Sequence, residues 1–169
     1  MCDLKYYCGK VNVREHKHRL ARKLYKGKIA CVFTACIANK IKIFLSDRLF
    51  DSMERILLDC LKKERCESHV YIFMPDHCHF LVEGKSGDSD LWQFMVSFRQ
   101  RSGYWLSQNQ IPARWQKDFY DHILRKDEDL PRQIRYILEN PLRKVIVNNC
   151  KEYPYKGSTI YDFDDWINF

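Results

Sequence analysis

Hydrophobic positions along the chain follow two periodicities, and each predicts a different kind of element. Residues 29–37 form an apolar, β-branched run that is typical of a buried strand. Ser46 or Asp47 can cap a following helix that ends near Arg65. Apolar residues recur in this helix at helical intervals and so predict one buried face, formed by Leu49, Met53, Ile56, Leu57 and Leu61.

Two short apolar runs, 69–74 and 77–82, are separated only by Pro75 and Asp76, and they predict a tight antiparallel hairpin. The later patterns predict a helix, a strand and a short helix that Pro141 ends, at residues 90–106, 119–124 and 130–139. The order β-α-β-β-α-β with an extra helix predicts an α+β fold. This is the ferredoxin-like or RRM-like split βαβ arrangement, an antiparallel sheet with helices packed on one face and an additional C-terminal helix.

Composition and charge narrow the class of partner. The chain has 169 residues, of which 46% are hydrophobic and 30% charged, so one domain with a substantial core is expected. The net charge of +7 and the pI near 9.0 favour an anionic partner, and nucleic acid is the leading candidate. The apolar runs are far shorter than the ~20 residues that cross a bilayer, and the N-terminus lacks a secretory pattern. We therefore expect a cytoplasmic protein with no membrane partner.

The eight cysteines include no C-x-x-C pair, and several lie inside apolar runs. We interpret them as reduced thiols, which agrees with a cytoplasmic protein. Cys66 and His69, with the histidines near residue 77, leave a zinc site open as an alternative, although their spacing matches no common zinc pattern.

His77 and His79 are the most distinctive residues of the predicted hairpin. Side chains at i and i+2 of a strand point to the same face, roughly 6.6 Å apart along the chain. Two imidazoles in that arrangement suit chelation of a divalent metal. Cys78 lies between them and points toward the predicted core, where a small thiol fits.

The predicted helix at residues 130–139 has an apolar side and a polar side. Arg132, Gln133, Tyr136 and Asn140 cluster on the polar side. Because Tyr136 and Asn140 are four residues apart, their side chains lie one helical turn from each other. A phenol beside a cation and two amides is compatible with an ordinary surface and with a catalytic one.

Residues 71–82, which read YIFMPDHCHFLV, resemble the HUH motif of the single-tyrosine transposases, in which U is an apolar residue. Other segments are similar to the signature of the REP-associated branch of that family, namely Tyr25-Lys26-Gly27, Phe33-Thr34, Trp115-Gln116, Asp121-His122-Ile123 and the run from Tyr136 to Pro141. The likeness extends from about Tyr25 to Val147. Cys78 at the U position is a modest departure from the pattern.

The resemblance implies an enzyme that cleaves hairpin-associated, single-stranded DNA and transfers the strand, using a divalent metal, Mg²⁺ or Mn²⁺. His77 and His79 match the metal-binding histidines of the family, and Asn140 matches the amide that completes the site. Tyr136 matches the nucleophile that becomes joined to the 5′ phosphate. The additional C-terminal helix would therefore carry the nucleophile.

Further residues are candidates for support or for DNA contact. Gln133 and His122 are candidates for supporting the site, His122 through proton transfer or by orienting a ligand. Cations that could contact DNA phosphates lie near the N-terminus, on the second helix and on the last helix, and they are Arg14, Lys17, Arg19, Arg22, Lys23, Arg99, Arg101 and Arg132.

The sequence leaves several alternatives open. Fold and charge also fit a domesticated DNA-binding module whose cleavage activity is incidental or lost.

We divide the chain into a basic arm over residues 1–28, a catalytic domain over 29–147 and a C-terminal tail over 148–169. The protein could act as a monomer or a homodimer, and the helix of Tyr136 could serve its own subunit or a partner.

Overall fold

The part of the chain that the computed structural model describes, residues 21–125 and 128–163, alternates strands and helices in the predicted order. The elements are β1 (Ala30–Cys36), α1 (Asp47–Lys63), β2 (Cys66–Met74), β3 (His77–Gly84), α2 (Leu91–Gln108), β4 (Tyr120–Ile123), α3 (Leu130–Leu138), α4 (Asn140–Arg143) and β5 (Lys156–Gly157). Short 3₁₀-helices lie in the connecting segments at Arg22–Tyr25, Ala38–Lys40 and Cys150–Glu152.

The strands form one five-stranded antiparallel sheet in the order β4-β1-β3-β2-β5. The predicted α+β fold is therefore confirmed. β2 and β3 pair Met74 with His77, so the two residues between them make the tight turn of the hairpin. β3 lies at the centre of the sheet, and the neighbouring strand β1 pairs Thr34 with His79.

Side chains of the sheet alternate between two faces, and helices cover both. One face carries Phe73 and Phe80, whose rings lie 6.3 and 5.0 Å from Phe98 of α2. The opposite face carries Ile72 and Leu81, which belong to the same buried cluster as the apolar residues of α3. His77 and His79 alternate with Phe80 along β3, so they lie on the face that α3 covers.

Local sequence explains why α3 begins and docks where it does. The side chain of Asp129 accepts a hydrogen bond from the N–H of Arg132, and Pro131 occupies the first turn. Ile134 and Ile137 are fully buried on one side of this helix. Their burial against β2 and β3 leaves the opposite side of α3 facing outward.

Pro141 does not end the helical segment, contrary to the prediction. α3 ends at Leu138, and α4 begins directly afterwards with Pro141 in its first turn. A proline at that position lacks an N–H that would have no helical partner anyway, so it starts a helix as readily as it stops one. This continuation brings Arg143 back onto the helix of Tyr136.

The C-terminal segment, for which the pattern predicts no element, packs on the outer edge of β2. β5 pairs with Tyr71 and Ile72, and the buried hydroxyl of Tyr153 donates a 2.6 Å hydrogen bond to the carbonyl oxygen of Phe73.

The boundaries of the arm, catalytic domain and tail stay predictions. Across the described ranges, no helix combines the length and the apolar character needed to span a bilayer.

Candidate active site and metal centre

His77 and His79 stand side by side on β3, as the strand alternation predicts. Their ring centroids are 4.9 Å apart, and the ring planes are nearly perpendicular at 86°. His77 is the first residue after the hairpin turn, and His79 lies between Thr34 of β1 and Ile72 of β2. The histidine pair is therefore held at the turn end of the sheet, on the α3 side.

Each imidazole is oriented through its Nδ1 atom. The Nδ1 of His77 lies 2.5 Å from Oδ1 of Asp76, and the Nδ1 of His79 lies 2.8 Å from Oγ1 of Thr34. The hydrogen bond from His77 lowers the pKa of Asp76. Within the described chain, no residue hydrogen-bonds to the Nε2 of either ring. Metal-binding histidines are commonly oriented in this way, with one ring nitrogen tied and the other available.

His79 is neutral in the ordinary pH range. Burial lowers its pKa to about 3, and the positive charges of His77 and Arg143 act in the same direction. Neutral imidazole is the form that binds metal ions, so this ring is ready to act as a ligand without first losing a proton.

Asn140 is a third potential ligand, and its amide is already oriented. The side chain is 8% exposed, and its nitrogen donates to the carbonyl oxygens of Tyr136 and Ile137 at 3.3 and 3.0 Å. Its Oδ1 accepts no hydrogen bond from the described residues. A carboxamide oxygen with no protein donor is suited to a hard divalent cation.

Tyr136 lies half-buried on α3, one helical turn before Asn140. The guanidinium of Arg143 covers its ring at 3.9 Å from the centroid and donates a hydrogen bond to its carbonyl oxygen. The positive charge of Arg143 also contributes to the low pKa of His79. The helix with the phenol and the amide thus lies over the face that carries the histidines.

These donors fit Mg²⁺ or Mn²⁺. Carbonyl-type oxygen suits both ions, and two neutral imidazoles with one amide leave the charge of the cation uncompensated and several coordination positions open. No group of three or more His, Cys, Asp or Glu residues is placed to hold a metal in residues 21–125 and 128–163. Asn140 is therefore the candidate for a third protein ligand beside the two histidines.

The zinc alternative from Cys66, His69 and His77 does not fit the structure. Cys66 lies at the far end of the hairpin from His77, because Cys66 pairs with Gly84 whereas His77 follows the turn. His69 is engaged elsewhere, with Nε2 2.6 Å from Glu83 and Nδ1 3.1 Å from a tyrosine hydroxyl of the C-terminal segment. This separation agrees with the sequence spacing, which matches no common zinc pattern.

The two support candidates have different positions. His122 lies on β4, separated from His79 by β1, and its exposed ring pairs with Glu128 at 2.8 Å. Gln133 lies half-buried on α3, three residues before Tyr136. Gln133 therefore shares the helix of the phenol, whereas His122 lies at the edge of the sheet.

The predicted DNA-contacting cations do not form one group. Arg14, Lys17 and Arg19 lie outside the described residues. Lys23 and Arg132 are exposed and have no ion pair with any described residue. Of these cations, Arg132 is on the same helix as Tyr136.

The other predicted cations are engaged in contacts within the protein. Arg22 lies 3.7 Å from Asp90, and Arg101 of α2 lies 2.9 Å from Asp59 of α1. Arg99 donates hydrogen bonds to backbone carbonyl groups of the segment before β4. α2 covers the sheet face opposite to the histidine pair, so these two arginines of α2 lie in the other layer. Their role in DNA contact stays a prediction.

Sequence reasoning assigned no role to four residues near the site: Thr34, Asp76, Tyr120 and Arg143. Asp76 directly precedes the first histidine, and Arg143 follows the phenol by seven residues, about two helical turns, so local spacing could have indicated both. Thr34 and Tyr120 face each other across β1 and β4, on the same side as the histidines. Only the register between distant strands reveals them.

Comparison with known proteins identifies the class. A family model described as "Transposase IS200 like" matches residues 23–140, more than half of the chain. The protein belongs to the IS200-like transposase family. Membership in a transposase family implies, at a coarse level, DNA-cleaving activity.

The expected resemblance to the REP-associated branch is also confirmed. A curated Haemophilus influenzae protein assigned to the REP-associated tyrosine transposases is 25% identical over 142 residues, and the match covers 74% of this chain and 77% of that protein. A solved structure of a REP-associated tyrosine transposase bound to a REP hairpin is similar with a TM-score of 0.72 at 18% identity. That match covers 90% of this chain and 86% of the solved chain, and it supports the fold.

Proposed function

We propose that this protein is a metal-dependent, single-stranded DNA endonuclease and strand transferase that forms a covalent 5′-phosphotyrosine intermediate on Tyr136. One observation carries the proposal. The helix that bears the phenol, together with an amide oxygen lacking a protein donor, covers the sheet face on which two imidazoles keep Nε2 available. A phenol and three neutral ligands of this kind suit phosphodiester transfer and have no evident purpose in a simple DNA binder.

The proposed substrate is single-stranded DNA beside a hairpin. A similar solved transposase was captured with a REP hairpin, and the net charge of +7 favours a polyanion through counterion release. Tyr136 lies on a short helix over an open sheet, where an unpaired backbone can approach more closely than a duplex can. The exposed side chain of Arg132 on the same helix is available to a phosphate.

The chemistry assigned to Tyr136 conserves the energy of the phosphodiester bond. Its phenol oxygen attacks the scissile phosphorus and loses its proton, while the bond from phosphorus to the 3′ oxygen breaks and that oxygen becomes a hydroxyl. The 5′ phosphate remains esterified to the tyrosine, so a 3′ hydroxyl can later attack it and rejoin the strands without ATP. A divalent ion bound by His77, His79 and Asn140 would supply charge that polarises the phosphate and stabilises the departing oxygen.

The neighbouring residues support these assignments. Asp76 and Thr34 hold the two imidazoles through Nδ1, which leaves Nε2 as the ligand atom. Backbone carbonyl groups of α3 hold the nitrogen of the Asn140 amide, which leaves its oxygen as the ligand atom.

A trapping experiment tests the proposal. The protein is incubated with Mn²⁺ and a DNA hairpin that carries a single-stranded flank, and the products are separated under denaturing conditions. We expect a denaturation-resistant adduct with the wild type and none with Tyr136→Phe, because phenylalanine keeps the ring but removes the attacking oxygen. Tyr120→Phe is the matched control, since Tyr120 also lies on the histidine side of the sheet, and it should retain the adduct.

Three outcomes would contradict parts of the proposal. An adduct that persists in Tyr136→Phe but disappears in Tyr120→Phe would show that the wrong phenol was chosen. An undiminished adduct in the presence of a metal chelator would remove the role of His77, His79 and Asn140. Tight hairpin binding by the wild type with no adduct would favour the DNA-binding module instead.

A further inference from the structure

Arg143 contacts the ring and the backbone of Tyr136, although it lies beyond residue 140, where the family match ends. Its guanidinium is 3.9 Å from the centroid of the Tyr136 ring, and the same group donates a hydrogen bond to the carbonyl oxygen of Tyr136. Glu139 forms an ion pair with the guanidinium at 3.0 Å. Arg143 is therefore held from two sides while it covers the phenol ring.

The chemistry of arginine makes this arrangement specific. A guanidinium is planar and can form directed hydrogen bonds in its plane while its flat surface stacks on an aromatic ring. Lysine carries the same charge on a flexible stem and cannot do both. Arg143 combines both kinds of contact, since its guanidinium lies over the Tyr136 ring and donates hydrogen bonds to the Tyr136 carbonyl oxygen and the Glu139 carboxylate.

We propose that Arg143 is a positioning residue for the nucleophile, whose stacked guanidinium holds the Tyr136 phenol in the orientation required for attack on a DNA phosphate. This inference rests on the proposed function of Tyr136. The ring is half-buried, so without the stack it can move among the staggered rotamers that a helix allows. A nucleophile displaced by ~1 Å can lose a factor of about 100 in rate.

Arg135 supplies a matched control. It is an exposed arginine on the same helix, and its side chain makes no ion pair or ring contact with any described residue. Replacement of Arg135 or Arg143 by alanine removes the same charge from an exposed position. Only the second replacement removes the stack on Tyr136.

The experiment uses the full chain with Mn²⁺ and the flanked hairpin, and it separates the rate of adduct formation from DNA affinity. Arg143→Ala and Arg143→Lys should each slow adduct formation at saturating DNA by about tenfold or more, because the phenol is no longer held. The dissociation constant, measured with a chelator present, should stay within about twofold of the wild type for both variants. Arg135→Ala should match the wild type in both quantities. Millimolar guanidinium should partly restore the rate of Arg143→Ala.

Each other outcome has a defined meaning. A wild-type rate in Arg143→Ala would overturn the inference and leave the function of Tyr136 intact. A wild-type rate in Arg143→Lys would overturn the role of the planar stack, and this variant still decides the question if the alanine variant does not fold. A tenfold loss of DNA affinity would make Arg143 a DNA ligand instead. Failure of the wild type to form any adduct would contradict the proposed function itself.

Discussion

At the scale of single residues, the candidate site depends on small oxygen-bearing neighbours. The hydroxyl of Thr34 lies 2.8 Å from Nδ1 of His79 and comes from a different strand. If His79 bound a metal through Nε2, its Nδ1–H would donate to this hydroxyl. Neighbours of this kind fix the ring orientation and typically contribute a factor of 10–100 in metal affinity.

Thr34→Val removes the hydroxyl with little change in volume, and Thr34→Ser retains it. We expect the valine variant to bind Mn²⁺ about 10–100-fold more weakly, because the His79 ring loses its orienting partner. Isothermal titration with Mn²⁺ measures the effect, and the serine variant should stay close to the wild type. Equal Mn²⁺ affinity in the valine variant and the wild type would show that Thr34 has no part in the metal site.

The role of a residue can be predicted from sequence when residues close to it in the chain fix its position. It cannot be predicted when its position depends on a distant strand. His77 and His79 could be paired from sequence because a strand places i and i+2 on one face, and Tyr136 and Asn140 because a helix places i and i+4 on one side. Thr34 could not be given its role, since its position beside His79 depends on the register between β1 and β3. Register is set by the packing of the whole face.

At the scale of elements, α3 is the part that holds Tyr136, the proposed nucleophile, on the sheet. Ile137 lies one residue after Tyr136 and is 1% exposed, in a cluster with residues of β2 and β3. The helix is only nine residues long, so its position depends on this packing and little on its own stability.

Ile137→Ala creates a cavity under α3, whereas Ile137→Val is a milder control. The alanine change should cost about 2–5 kcal/mol and the valine change about 0.5–1.5 kcal/mol in the free energy of unfolding. We expect the alanine variant to form adduct more slowly even at a temperature where it stays folded. Chemical denaturation and hydrogen exchange of the α3 amides measure the two effects. A wild-type adduct rate combined with reduced protection of α3 would show that its docking does not control the reaction.

The elements that sequence missed are those with weak or ambiguous patterns. Pro141 is compatible with the end of one helix and with the first turn of the next, and the structure has the second arrangement. β5 has two residues, too few for any periodicity, and it forms because β2 offers an unpaired edge. The longer elements were predicted to within a few residues because each has a full hydrophobic face.

At the scale of the whole molecule, one chain contains every part of the proposed site. The apolar side of α3 packs on the same sheet face that carries the histidines of its own chain. We therefore expect the helix to act within its own subunit, whatever the oligomeric state.

A mixing experiment checks this expectation. Tyr136→Phe lacks the proposed nucleophile, and His79→Ala lacks a proposed metal ligand, so each should be inactive alone. When helix and histidines of one chain work together, an equimolar mixture should form no adduct. Substantial adduct in the mixture would show that subunits exchange the helix of Tyr136.

The most direct measurement of the central claim is to identify the residue that becomes joined to DNA. Adduct formed with Mn²⁺ and a flanked hairpin is digested with nuclease and protease, and the modified peptide is sequenced by mass spectrometry. We predict a single nucleotide-bearing residue, Tyr136, attached through a 5′ phosphate. Attachment to Tyr120 or another residue, or a 3′ linkage, would contradict this prediction.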